Sequence, residues 1–162
     1  SARFKHHLAQ ELGVVPEDID AHVLGQHDQA MFPVWSRVRA GPRRSIREFS
    51  PSIRKRVVHL TRAIGHNIRR MVGMAARYAP AIAMVQTIAA LHSTTPRLIP
   101  SSAVLDGEYG LCDVAIGVPV RVSRRESRIE VWDLDGASRN CLRRGAETIR
   151  KNLAKVGAVP GR

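Results

Sequence analysis

Aromatic side chains are scarce in this chain: Phe, Trp and Tyr make up 4% of its 162 residues. A core must therefore be built from Val, Ile, Leu and Ala. The overall apolar fraction of 44% supplies enough of them to exclude a disordered chain. Cysteine is nearly absent too. Cys112 and Cys141 form no C-x-x-C motif, which excludes a zinc ribbon or a dithiol redox centre and leaves two plain buried thiols in a reducing, cytoplasmic setting. No run of 18 apolar residues occurs, so no membrane span is expected, and the opening SARFKHHLAQ lacks the layout of a signal peptide. Neither G-x-G-x-x-G nor G-x-x-x-x-G-K-[ST] is present, so no segment is equipped as a phosphate-cradling loop. No metal-ligand spacing is found either.

Acidic residues are missing from one long stretch. Residues 37–77 hold twelve Arg and Lys against a single acid, Glu48, a net +11 out of +12 for the whole chain. Such a block suits an anionic substrate, a solvated helix face, or nucleic acid or anionic lipid. No nucleic-acid motif accompanies it, so the nucleic-acid reading stays the minor one.

What is present reads as one domain over residues 1–162. Phe4, Leu8 and Leu12 fall on one helical stripe that Gly13 stops. Ile19 to Leu24 reads as a strand after a turn at Pro16. Gly41-Pro42 and Ser50-Pro51 punctuate an irregular basic loop. Ser50 or Ser52 starts a long helix from Pro51 to Met74, whose apolar positions Ile53, Val57, Leu60, Ile64 and Ile68 are expected in the core. RYAPAIAMVQTIAALHS continues as a second helix. Three strands follow, LIPSSAVL, VAIGVPVRV and RIEVWDL, bounded by Gly, Asp and Pro turns. GASRNCLRRGAETIRKNLAKV closes the chain as an amphipathic helix. The order is α+β with a mostly antiparallel sheet packed with long helices, not an alternating βαβ chain.

Two residues stand out chemically. His27 follows a strand that ends in Gly25-Gln26, a position from which an imidazole that titrates near neutrality serves as general acid or base. It needs an orienting carboxylate, and Asp28 is a poor one because neighbours on an extended chain point to opposite sides. Arg3, in the first turn of a helix, offers a fork that grips a carboxylate through two parallel hydrogen bonds. On these residues alone, a plain loop histidine and a surface arginine remain the alternatives.

The blocks SARF, LGVVPEDIDAHVLGQHDQAMFPVWS, RYAPAIAMVQTI, SSAVLDGEYGLCDVAIGVPV and LRRGAETIRKNLAKV, in this order, resemble the C-terminal, substrate-binding domain of the lactate/malate dehydrogenase family. The resemblance runs over nearly the whole chain and is weakest between Arg37 and Arg62. It implies a fold of that type, with His27 as proton donor and acceptor, Arg3 as the anchor for the substrate carboxylate, and NAD as cofactor. It also implies a dinucleotide-binding domain that these residues do not contain, and a homodimer or homotetramer. The aspartate that orients the family's histidine would stand immediately before Ser1. The absence of an initiating Met is read as a domain cut or a truncated product, and the isolated chain is expected to be incompetent. Ala76 falls on a pocket-wall position that is often Thr in lactate dehydrogenases. With Pro80 and Gly117-Val118-Pro119, it resembles the lactate-dehydrogenase-like malate dehydrogenases, so malate and oxaloacetate are the expected substrate pair. Lys5 and Asp20 stand where a basic pair binds a phosphate effector in allosteric relatives, which disfavours sugar-phosphate activation.

One departure is local. Where the family reads Gly-Glu-His-Gly-Asp-Ser, this chain reads Gly25-Gln26-His27-Asp28-Gln29-Ala30. Replacing the glycine after the histidine changes the allowed backbone. A carboxylate at Asp28 would also repel an anionic substrate and favour the protonated imidazole. A catalytically silent relative acting as a binding or scaffold protein is therefore the competing reading, followed by a lactate dehydrogenase and by a basic nucleic-acid-binding module.

Overall fold

A computed structural model describes residues 1–27, 30–41, 49–72 and 78–157, without the side chains of 64–79. Two compact units emerge, one made of residues 1–23 and 32–76, the other of residues 24–31 and 77–162.

In the first unit, helix α1 (Ala2–Leu12) buries Phe4 and Leu8 from the stripe read in the sequence. It ends where Gly13 turns left-handed at φ 64°, with its N–H donating to the Ala9 carbonyl, a conformation that only glycine enters without strain. Ile19, Val38, Phe49 and Val57 join Phe4 and Leu8 in one cluster, at about 1.5–3 kcal/mol for each large apolar side chain taken from water. Trp35 packs edge-on to Phe4 at 5.3 Å between ring centroids. The Arg54 guanidinium lies 5.3 Å above the Trp35 ring, and its Nε–H donates to the Phe49 carbonyl at 3.1 Å.

The expected strand 19–24 is interrupted. Strand β1 (Ile19–Asp20) pairs antiparallel with β4 (Arg39–Ala40), Ile19 opposite Ala40. Two residues on, the chain changes partner: Val34 N–H donates to the His22 carbonyl at 3.0 Å, and β2 (Val23–Leu24) pairs with β3 (Phe32–Pro33). Helix α2 (Pro51–Val72) starts as expected, with the Ser50 hydroxyl accepting from Ile53 N–H at 3.3 Å. Its buried line runs through Val57 and Thr61, whose hydroxyl donates to the Val57 carbonyl, while Leu60 lies at the margin, 37% exposed. Positions 57 and 61 are nearly one helical turn apart, so 60 falls to the side.

In the second unit, α3 (Tyr78–His92) leads to a three-stranded antiparallel sheet of β5 (Arg97–Asp106), β6 (Cys112–Val122) and β7 (Ser127–Ile129), in that order. Arg97 pairs with Val122, Leu105 with Val114, and Val120 with Ile129. This is the expected α+β class with antiparallel strands. The last strand stops short of the expected 128–134, although Glu130 N–H still donates to the Pro119 carbonyl of β6 at 2.9 Å. The Glu130 side chain is engaged as well. Its carboxylate accepts from Arg121 and, at 3.0 Å, from the Trp132 indole N–H. The Tyr109 hydroxyl accepts from Trp132 N–H at 3.0 Å, closing the same patch. Helix α4 (Gly136–Lys155) is capped by Asp135, which accepts from Ser138 N–H at 2.7 Å, and it buries Leu142, Gly145 and Ala146. No helix among the described residues is long and apolar enough to cross a membrane.

Candidate active site

His27 stands in the second unit on a bend just past β2, with its ring exposed. Two backbone hydrogen bonds fix the approach to it. Gly25 N–H donates to the Gly117 carbonyl at 2.8 Å, and Gly117 N–H donates to the Gly25 carbonyl at 3.3 Å. Gly25 holds φ at 92°, a region L side chains rarely enter. The terminal Gly of the strand is thus a structural necessity, and it delivers His27 to the surface. No carboxylate bonds that ring among the described residues.

Arg3 belongs to the first unit, on the first turn of α1. Its guanidinium is half-buried and has no acidic partner among the described residues. A fork of this kind can pair with a carboxylate or phosphate through two parallel hydrogen bonds, and water serves it otherwise. Arg56 on α2 shows the contrast, since it is satisfied by Glu11 at 2.7 Å. Asp28 and Ala76 lie outside the described residues.

The sequence reading passed over His22. This half-buried imidazole places Nε2 3.3 Å from Asp20 Oδ1, and it is the one histidine–carboxylate pair among the described residues. Burial lowers its pKa. The Asp20 charge acts against that shift, while Lys5, the N-terminus and Arg37 add to it. The signal was available: residues 20 and 22 are two apart on an extended chain and so share a side. Lys5 and Asp20 therefore stand beside a histidine rather than forming a basic pair. His7, one turn along α1, is buried with neither ring nitrogen bonded, and its ring meets that of His6 at 5.5 Å.

No group of three or more metal-ligating side chains occurs among the described residues. Both thiols are free, Cys112 exposed and Cys141 half-buried, so the expectation of two buried thiols holds for neither in full. Cys112 starts β6 on its outward face, and Cys141 sits at the edge of the α4 stripe.

Comparison with known proteins gives this geometry its context. The model of the lactate/malate dehydrogenase α/β C-terminal domain matches residues 1–159. Malate dehydrogenase of Halobacterium salinarum is 34% identical over 157 residues, covering 96% of this chain and 51% of that protein. Malate dehydrogenase of Chloroherpeton thalassium is 36% identical over 165 residues, covering 98% and 52%. The solved malate dehydrogenase of Aeropyrum pernix superposes with a TM-score of 0.90 at 29% identity, over 96% of this chain and 52% of that one. The minor L-lactate dehydrogenase of Enterococcus mundtii shares the fold, with a TM-score of 0.88 at 21% identity over 96% and 52%. The chain thus spans about half the length of the curated relatives it matches. It belongs to the lactate/malate dehydrogenase family, whose C-terminal domain it represents.

Proposed function

We propose that this chain is the substrate-binding half of an NAD-dependent 2-hydroxy-acid dehydrogenase that interconverts malate and oxaloacetate. The observation that carries the reading is Arg3, a half-buried guanidinium with no counter-ion among the described residues, in a chain whose relatives of 34–36% identity are named malate dehydrogenases. Arg3 holds the carboxylate beside the carbonyl through two parallel hydrogen bonds. His27, as imidazolium, gives a proton to the oxygen on the adjacent carbon during reduction and, as imidazole, takes it back during oxidation. Ala76, where lactate dehydrogenases often have Thr, agrees with the larger oxaloacetate by the resemblance alone.

The residues of this chain do not fit NAD itself. They contain no glycine-rich phosphate loop, and the three-stranded sheet of the second unit is antiparallel throughout. The cofactor is therefore assigned to a separate nucleotide-binding half. Helix α3 supports the existence of such a partner. From Ala79 to Leu91 it carries no charged residue, yet Ile82, Met84, Val85 and Ile88 are each more than half exposed. An apolar surface of that extent calls for a cover, and the relatives are about twice as long as this chain. On this reading the chain by itself binds no NADH, and titration that finds micromolar binding would contradict it. A cytoplasmic dimer or tetramer belongs to the same proposal; light scattering on the longest natural polypeptide measures the assembly.

A second reading is favoured by the departure Asp28-Gln29-Ala30 directly after the histidine. It makes the protein a silent relative that binds an acid without turning it over. NADH oxidation with oxaloacetate and with pyruvate, on the longest natural polypeptide containing this chain, separates the readings. Turnover of oxaloacetate supports the first, turnover of pyruvate alone makes it a lactate dehydrogenase, and a folded protein that turns over neither supports the second.

A further inference from the structure

The segment that carries His27 is held by close backbone approach, and two glycines outside it make that approach possible. A Cβ on Gly117 would stand 2.6 Å from the Gly25 carbonyl oxygen and 3.5 Å from the Gly25 nitrogen. The atom met is main chain, so it cannot swing aside as a side chain would. On the other side, Gly145 is buried in α4. A Cβ there would stand 3.1 Å from Ile116 Cδ1 and 3.4 Å from both the nitrogen and Cβ of Gln26. Residues 25 and 26 are therefore pressed between β6 and α4, one residue short of the imidazole. The Gln26 side-chain oxygen is buried without a hydrogen-bond partner, so it contributes nothing to the anchoring. The main-chain bridge and the two missing Cβ atoms do that work.

We propose that Gly117 and Gly145 are positioning residues for proton transfer, acting on His27 through Gly25 and Gln26. The proposal rests on the reading of His27 as the proton donor. Its physical basis is that a proton passes efficiently only from a donor held within hydrogen-bond reach of the accepting oxygen, so an ångström of displacement costs on the order of a hundredfold in rate. The two glycines make graded demands. Gly117→Ala forces the carbonyl of Gly25 to move, breaking or stretching the 2.8 and 3.3 Å bonds. Gly145→Ala asks a few tenths of an ångström of the Ile116 methyl at 3.1 Å and brings Gln26, at 3.4 Å, into direct contact, so Ile116 passes the push to Gln26 only where it cannot yield itself.

The test uses the longest natural polypeptide containing this chain, with steady-state kinetics on oxaloacetate and the histidine ring signals in carbon–proton correlation spectra. Gly117→Ala is expected to lower kcat about a hundredfold and to leave KM within about threefold, because Arg3 on α1 is untouched. The His27 ring signal moves while those of His22 and His59 stay. Gly145→Ala lowers kcat about tenfold, and adding Ile116→Val, which removes the clashing methyl, restores it. Wild-type kcat or an unmoved His27 signal in folded Gly117→Ala overturns the proposal. Should Gly117→Ala not fold, the Gly145→Ala pair decides: no loss, or a loss that Ile116→Val does not restore, overturns it. His27→Asn separates the two levels. If it keeps turnover, the His27 reading falls and this proposal with it. If it is dead while Gly117→Ala is normal, only the positioning role falls.

Discussion

Arg3 and His22 handle charge in opposite ways. Among the described residues Arg3 keeps its charge half-buried without a partner, which a weakly hydrated, delocalised cation tolerates far better than an ammonium does. Arg3→Lys retains the charge and loses the fork. We expect KM for oxaloacetate to rise about tenfold to a hundredfold, the worth of roughly 1.5–3 kcal/mol for charged hydrogen bonds, as measured by steady-state kinetics. His22 is instead pushed toward its neutral form. Its pKa is lowered in the folded chain, first by burial. The unfolded chain then binds more protons between the folded value and about 6.5, so stability rises with pH across that window and is lost on acidification below about 6.5. Melting temperatures measured from pH 5 to 8 should fall on the acid side, and His22→Asn should flatten that dependence. His27 and Arg3 were singled out by local patterns, Gly-x-His at a strand end and an arginine in a first helical turn, but their proposed roles came only from the family resemblance. The His22–Asp20 pair was equally local and went unread. Gly117 was not legible as a neighbour of Gly25, since ninety-two positions separate them and only the sheet brings their backbones together.

At the level of elements, punctuation residues were more informative than strand patterns. Gly13 stops α1, Ser50 starts α2 and Asp135 starts α4, each through one identifiable backbone bond. Asp135→Ala should cost about 1 kcal/mol of stability, readable by urea unfolding. Phe4→Ala, which empties the centre of the first unit, should cost about 3–5 kcal/mol in the same measurement. The strand expectations failed at their ends for non-local reasons. The 19–24 strand breaks because its two halves pair with different partners, and the last strand ends at Ile129 although Glu130 N–H still reaches the Pro119 carbonyl. Periodicity also placed Leu60 in the core where Thr61 lies. A hydroxyl that bonds its own helix four residues back can be buried, and no hydropathy pattern expresses that.

On the scale of the whole molecule, α3 leaves Ile82, Met84, Val85 and Ile88 each more than half exposed. The 162-residue chain should therefore bind an apolar fluorescent dye, and Met84→Gln with Val85→Gln should weaken that binding while weakening association with a nucleotide-binding half. The basic stretch leaves α2 without a single acid over its 22 residues, and its exposed Lys55, Arg56 and His59 share one face. That face needs no nucleic acid to explain it, because one of its charges is already paired with Glu11. The central claim is that His27 moves the proton in a reaction of malate and oxaloacetate. The direct measurement is NADH oxidation with oxaloacetate by the longest natural polypeptide containing this chain, beside its His27→Asn variant. We expect turnover in the first and a loss of at least about a hundredfold in the second, the range of a general acid removed. Equal turnover in both, from folded proteins, would contradict the assignment.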